Sequence, residues 1–190
     1  MIYRSYGLKR LVDIVGAGLG LLIVSPLLLL TLAAVYLEDR HNPIFVQERV
    51  GRDGRPYRML KVRSMTPDTP DRPSTDAESL TITRTGSVVR RTNIDELPQL
   101  LNVLSGDMSL VGPRPALPSQ TELLRLRELN GASRLRPGLT GLAQIGAYDG
   151  MNAAEKARLD GSYAERVGFF TDVRIVLGTL PYLVRRPPTY

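Results

Sequence analysis

Asp95 and Glu96 are the side chains best placed to do chemistry in this sequence. They stand at the front of Ile94-Asp95-Glu96-Leu97-Pro98-Gln99-Leu100-Leu101-Asn102-Val103-Leu104, which reads as a helix ended by Ser105-Gly106. Proline is tolerated only near a helix start, so Pro98 places that start between Asn93 and Asp95. Carboxylates in a first turn face exposed N–H groups and the positive end of the helix dipole, which keeps them ionised. The same environment attracts phosphate or a cation–phosphate pair. An ionised Asp is also a phosphoryl-accepting nucleophile. The plain alternative is that both acids only cap a helix.

Fixed bases surround the pair in sequence. Arg90 and Arg91 lie just upstream, and Val111-Gly112-Pro113-Arg114-Pro115 follows the helix. Flanking prolines stiffen the backbone around Arg114, which suits a guanidinium that must grip a diphosphate bidentately. Arg136-Pro137-Gly138, followed by Thr140-Gly141, repeats that style. Each of these arginines is equally able to bond helix-end carbonyls.

Composition narrows the chemistry. The 190 residues contain no Cys and one His, His41. That removes disulfides, thiolate catalysis and zinc held by nitrogen and sulfur, and leaves no credible base for a Ser-His-Asp triad. A hard cation held by carboxylates stays open. The formal charge is +6, and because the charges of residues 1–39 cancel, the whole excess lies in the polar part. Nucleic acid is not the expected partner: the 8 Tyr and 3 Phe are scattered and form no stacking platform or known motif.

The elements that must position these residues begin with an apolar run, Leu11 to Leu37, whose only charge is Asp13. It is about twice the length of a secretory signal core and long enough to meet a membrane. Ser25-Pro26 interrupts it near the middle, where a bend is expected. Unbroken, the run measures roughly 40 Å against a hydrocarbon core of about 30 Å; broken, each arm reaches only about 20 Å. Arg4, Lys9 and Arg10 precede it, and Arg40, Arg49, Arg52, Arg55 and Arg58 follow it. Basic flanks prefer the cytoplasm, and a re-entrant hairpin keeps both there, with the Ser25 hydroxyl expected to help satisfy the broken backbone. Composition alone does not choose between that hairpin and a kinked spanning helix; a soluble core helix fits less well.

Beyond Asn42-Pro43, Ile44–Val50 and Tyr57–Val62 flank Gly51-Arg52-Asp53-Gly54 and read as a β-hairpin, with Tyr57, Met59, Lys61 and Arg63 on one face. Residues 66–80 read as a loop, and residues 82–91 as a short basic segment. Ser119-Gln120-Thr121-Glu122 has the form of a capping box for a helix through Leu129, closed by Gly131. A further helix is expected over Ala153–Ala164, and an amphipathic stretch over Glu165–Arg186 that packs on the core or, by preference, lies in a membrane interface. The fold class is therefore α+β and helix-rich: a re-entrant membrane hairpin over 1–40 and a cytosolic globular domain over 41–190, with a short β-hairpin and amphipathic interfacial helices.

The string IDELPQLLNVLSGDMSLVGPRP, with KVRSM before it and LRPGLTGLAQ after it, resembles the bacterial sugar transferases, specifically the monotopic phosphoglycosyl transferases. The resemblance runs from Lys9-Arg10 to about Leu180. It implies transfer of a sugar-1-phosphate from a UDP-sugar to polyprenyl (undecaprenyl) phosphate, with release of UMP, at the start of surface-glycan synthesis. It also implies Mg²⁺ and an aspartyl phospho-sugar intermediate. Asp95 maps to the nucleophile and metal contact, and Glu96 to its partner. Lys61, Arg90 and Arg114 map to the phosphate region and Asp160 to an acid of the site, to which the residue pattern adds Arg136. Ser25-Pro26 matches the break that makes the family's membrane helix re-entrant, which favours the hairpin and a monotopic protein on the cytoplasmic face of the bacterial inner membrane. The implied partners are UDP-sugar, polyprenyl phosphate and membrane lipid, with a homodimer left open. Tyr148 stands where many members carry an Arg that helps with the donor. Without the large N-terminal membrane domain of longer members, the chain is expected to be a minimal form. The competing reading is a non-enzymatic module that binds anionic lipid through its basic face.

Overall fold

The structure, a computed structural model, describes residues 6–66, 82–146 and 151–184. Most of the loop expected over 66–80, Tyr148 and Arg185-Arg186 lie outside the described residues.

Helix α1 (Tyr6–Asp39) is one continuous element of 34 residues with Pro26 inside it, rather than two arms joined by a turn. The carbonyl that Pro26 cannot serve is that of Leu22, and the Ser25 hydroxyl donates to it at 2.9 Å. One stripe of α1 is buried: Lys9, Asp13, Ala17, Leu28 and Val35, with Leu21, Val24 and Leu32 partly covered. These positions recur every three or four residues, the period of a single helix face. Most of the rest of the surface is bare and apolar, including Leu11, Leu19, Leu22, Ile23, Leu29 and Leu30. The helix is long and apolar enough to cross a membrane.

Both halves of the stripe pack on the polar part of the chain. The first half joins a core with Tyr57, Met59, Leu100, Val103 and Met108; the second packs on Val62 and Val89. Each end is tied to the same body. Lys9 Nζ pairs with Asp172 at 2.7 Å, and Arg10 donates to the carbonyls of Val103 and Leu104. At the far end Glu38 accepts from the backbone N–H groups of Arg84 (2.8 Å) and Thr85 (3.0 Å).

Strands β1 (Ile44–Val50) and β2 (Pro56–Val62) form the expected antiparallel hairpin, in register from Ile44 opposite Val62 to Val50 opposite Pro56. Asp53 and Gly54 turn it with φ of 55° and 76°. Tyr57 and Met59 face the core, as the period of two requires. Helix α2 (Arg84–Arg91) follows, capped by Thr83.

The helix expected from about Asn93 starts later. Asn93 is left-handed (φ 55°), Ile94–Glu96 is a 3-10 turn, and α3 runs Gln99–Ser105. The cause is Pro98: it has no N–H for the Ile94 carbonyl, which Leu97 N–H takes instead at 3.2 Å, one residue early. Asp95 and Glu96 therefore sit in a tight turn ahead of the helix, and the dipole argument is replaced by side-chain charges.

Strand β3 (Ser109–Val111) pairs in parallel with β4 (Gly138–Thr140), an element with no signal in the sequence. Helix α4 (Thr121–Leu129) lacks the expected capping box. Gln120 occupies the cap position without a side-chain cap, and its Oε1 accepts from Leu117 N–H instead. The box belongs to α6 (Ala153–Glu165), built by Asn152 and Glu155. Between them, α5 covers Leu142–Gly146. Helix α7 (Phe169–Val184) buries Asp172 and Ile175 and exposes Phe169, Phe170, Val176, Leu177 and Leu180.

Candidate active site

Three elements meet at the Asp95–Glu96 turn. Strand β2 supplies Lys61, whose Nζ lies 3.5 Å from Asp95 Oδ2 and 3.2 Å from Glu96 Oε1. The loop after β3 supplies Arg114, whose Nη2 donates to the same Glu96 oxygen at 3.0 Å. Among the described residues Asp95 Oδ1 and Glu96 Oε2 accept no hydrogen bond, so each acid keeps one oxygen for a ligand.

Each cation is placed by a specific device. Asn102, buried in α3, accepts from Leu60 N–H (2.9 Å) and donates to the Arg58 carbonyl (2.8 Å), which fixes the β2 edge that carries Lys61. The Arg114 loop depends on glycine. A Cβ on Gly138 would overlap the Gly112 nitrogen, and one on Gly141 the Gly112 carbonyl. Without those side chains the two Arg-bearing segments lie backbone to backbone: Ser109 N–H donates to the Pro137 carbonyl, and Gly138 N–H to that of Pro113, each at 2.8 Å.

The two acids are driven apart. Burial pushes the Asp95 carboxyl above its ordinary value, and Lys61 only partly offsets it. Burial acts on Glu96 as well, but Arg114 and Lys61 outweigh it and hold the carboxyl at about 2. A pair of carboxylates separated in this way is a mark of divided roles.

Arg90 sits in the last turn of α2, directly before the site turn. Its Nη1 and the Nδ2 of Asn93 are buried with no partner among the described residues, so two donors lack an acceptor there. Arg136 and Asp160 do not touch the pair. Arg136 Nε donates to the Gly106 carbonyl at 2.7 Å, at the other end of α3, where Arg10 also binds. Asp160 is buried against Arg127, with Arg127 Nη2 at 2.7 Å and Nε at 2.8 Å from its Oδ2; burial raises its carboxyl against that attraction. Arg127 in turn donates to the Arg114 carbonyl at 3.0 Å. Sequence reasoning missed Asn102 and Arg127. The available signal was a polar residue inside each helix's apolar pattern.

A divided carboxylate pair flanked by cations thus sits on a body that carries a long bare apolar helix. The chain belongs to the bacterial sugar transferase family, whose profile matches residues 4–186. It is 40% identical over 191 residues to the UDP-glucose:undecaprenyl-phosphate glucose-1-phosphate transferase of Caulobacter vibrioides, covering 96% of this chain and 72% of that protein. It is 34% identical to the exopolysaccharide production protein ExoY of Rhizobium meliloti, covering 91% of this chain and 84% of that one. The Escherichia coli UDP-glucose:undecaprenyl-phosphate glucose-1-phosphate transferase is 39% identical over 91% of this chain, which corresponds to 39% of its own length.

Proposed function

We propose that this chain moves a sugar-1-phosphate from a UDP-sugar to polyprenyl phosphate through a covalent intermediate on Asp95. The observation that carries the assignment is the inequality within the pair. Glu96 is held by two cations at 3.0 and 3.2 Å, both on Oε1, whereas among the described residues Asp95 meets only Lys61, at 3.5 Å. The less restrained and more basic carboxylate is the better nucleophile. Asp95 Oδ1 attacks the β-phosphorus of the donor, the bond to the bridging oxygen breaks, and UMP leaves with that oxygen. A phosphate oxygen of the polyprenyl acceptor then attacks the same phosphorus, freeing Asp95 and giving the polyprenyl diphosphate sugar.

Lys61 and Arg114 orient the donor's phosphates and spread the charge that develops on UMP, and Arg90 offers a further guanidinium. Glu96 keeps these cations in place. A hard cation fits this donor set: Asp95 and Glu96 each keep a carboxylate oxygen that accepts no hydrogen bond among the described residues, and Mg²⁺ commonly takes one or two carboxylates and completes its shell with substrate phosphates and water. Asp95 and Glu96 are the residues that would hold Mg²⁺, which when bound neutralises diphosphate charge.

In the same reading α1, continuous through Pro26 here, bends at that proline in the bilayer so that both its ends stay at one leaflet, and α7 lies in the interface, on the cytoplasmic face of the bacterial inner membrane. The attachments of Lys9, Arg10 and Glu38 to a single body support this, because a span would carry one end away from it. The bare apolar faces of α1 and α7 support it too.

The experiment is UMP release by purified protein in detergent, with a UDP-sugar panel led by UDP-glucose, polyprenyl phosphate and Mg²⁺. Release that Asp95→Asn abolishes is expected; no release with any donor refutes the reading. Tags at Met1 and Tyr190 should both be cytoplasmic, and a periplasmic N-terminus would mean a true span.

A further inference from the structure

We infer that Arg127 and Arg49 are positioning residues for the transfer, acting by gripping the backbone that presents Arg114. The proposal rests on the reading of the Asp95 site given above. Four successive carbonyls of that segment are all taken, by three elements: β4, α4 and β1. Pro113 accepts from Gly138 N–H at 2.8 Å, and Ala116 from Val50 N–H at 3.0 Å. The two carbonyls between them are held by side chains: Arg114 by Arg127 Nη1 at 3.0 Å, and Pro115 by Arg49 Nη1 at 3.2 Å.

Both gripping arginines are fixed from behind. Arg127 is buried and paired with buried Asp160 through Nε and Nη2, so its planar fork aims the remaining Nη1 at the carbonyl. Arg49 is held by Gln47, which it contacts through Nε at 3.0 Å and also through Nη2. The Arg114 side chain, by contrast, is 53% exposed and reaches Glu96 through Nη2 at 3.0 Å. A half-exposed guanidinium is precise only if its backbone is, and the two arginines supply that precision. This gives Asp160 a concrete place as well: it orients Arg127, one residue removed from the reacting groups.

The test is a double-mutant cycle on the full-length protein in detergent, followed with radiolabelled donor at a sensitivity that still registers Arg114→Ala. Lysine keeps the charge at position 127 but cannot hold both Asp160 and the carbonyl in a fork. Arg127→Lys is expected to lower kcat/KM about tenfold or more in the wild-type background, the scale of a small misplacement. In the Arg114→Ala background it should cost less than about twofold, because the group it positions is gone. Thermal unfolding, by contrast, should shift by the same amount in both backgrounds. Arg49→Lys, on a different element, should show the same dependence if Arg127→Lys folds poorly. Equal fold-losses in both backgrounds for both variants overturn the proposal while leaving the transferase reading intact. A wild-type protein silent with every donor overturns the transferase reading and this inference with it.

Discussion

Removing Arg114 should change the pH dependence of the reaction as well as its rate. Glu96 is held at about 2 against an ordinary 4.5. At about 1.4 kcal/mol per tenfold, that is about 3 kcal/mol of preference for the ionised carboxylate. Of the two charges responsible, Arg114 is the stronger. Its side chain is half exposed, so water screens part of its pull, and roughly one pH unit of upward movement is expected for Glu96 in Arg114→Ala. The sign is fixed by the need for both acids to be ionised, so activity falls as pH falls. Of the two acids in the wild type, Asp95, raised by burial, is protonated first as pH falls, so the pair should contribute a single ionisation to the acid limb of kcat/KM. In Arg114→Ala that limb should shift upward and steepen as Glu96 begins to titrate, on top of a loss of roughly 10²-fold at every pH from the missing charge. UMP release measured from pH 4 to pH 8 reads both effects. A uniform loss with an unmoved acid limb would refute the account of how Arg114 and Glu96 are coupled.

Other predictions test separate parts of the structure. Asp95→Asn should be more stable than the wild type at neutral pH, because the raised carboxyl is a burden on the fold once ionised; the advantage should fade in thermal melts as pH drops through the raised value toward the ordinary 3.8. Gly138→Ala should cost about 1–3 kcal/mol in chemical denaturation, since the new methyl has backbone atoms of Gly112 in its way. Lys9→Met strands the buried Asp172, which then keeps Tyr163 as its hydrogen-bond partner, and should destabilise by about 3–5 kcal/mol. Chelation should abolish UMP release, and added Mg²⁺ should restore it.

The parts of the fold legible in the sequence are those governed by local rules. The β-hairpin follows from turn glycines and a period of two, and α6 and α7 emerge within a few residues of their expected limits. Local rules also misled where a neighbour competed for the same group. Pro98 pushed the start of α3 to Gln99, and α4 starts after Gln120, so that Ser119 and Glu122 form no box and Glu122 pairs with Arg125. The parallel β3–β4 pair was invisible because three-residue strands carry no pattern and their partner is distant. At the site, the Asp95–Glu96 pair and the special backbone around Arg114 were readable. What brings Lys61 there is only half readable: Asn102 stands out as a polar residue in an apolar pattern, but nothing in the sequence says that it bonds the edge of β2. For Arg136, both the anion-binding and the carbonyl-binding reading were written in the sequence, and the structure shows the carbonyl of Gly106.

The ion pair between Lys9 and Asp172 joins residues 163 positions apart. It bears on the order in which the molecule is made. The apolar helix leaves the ribosome before the side chains that cover its inner stripe, which run from Tyr57 to Met108 and on to Asp172. Until they arrive, Lys9 and Asp13 face whatever surrounds a newborn helix, and the headgroup layer, unlike the acyl interior, can solvate both. On the membrane reading proposed above, the folded body closes only when α7 returns to α1. A truncation that removes α1 to obtain a soluble enzyme would remove one wall of the core and leave the rest of the chain nothing to close upon.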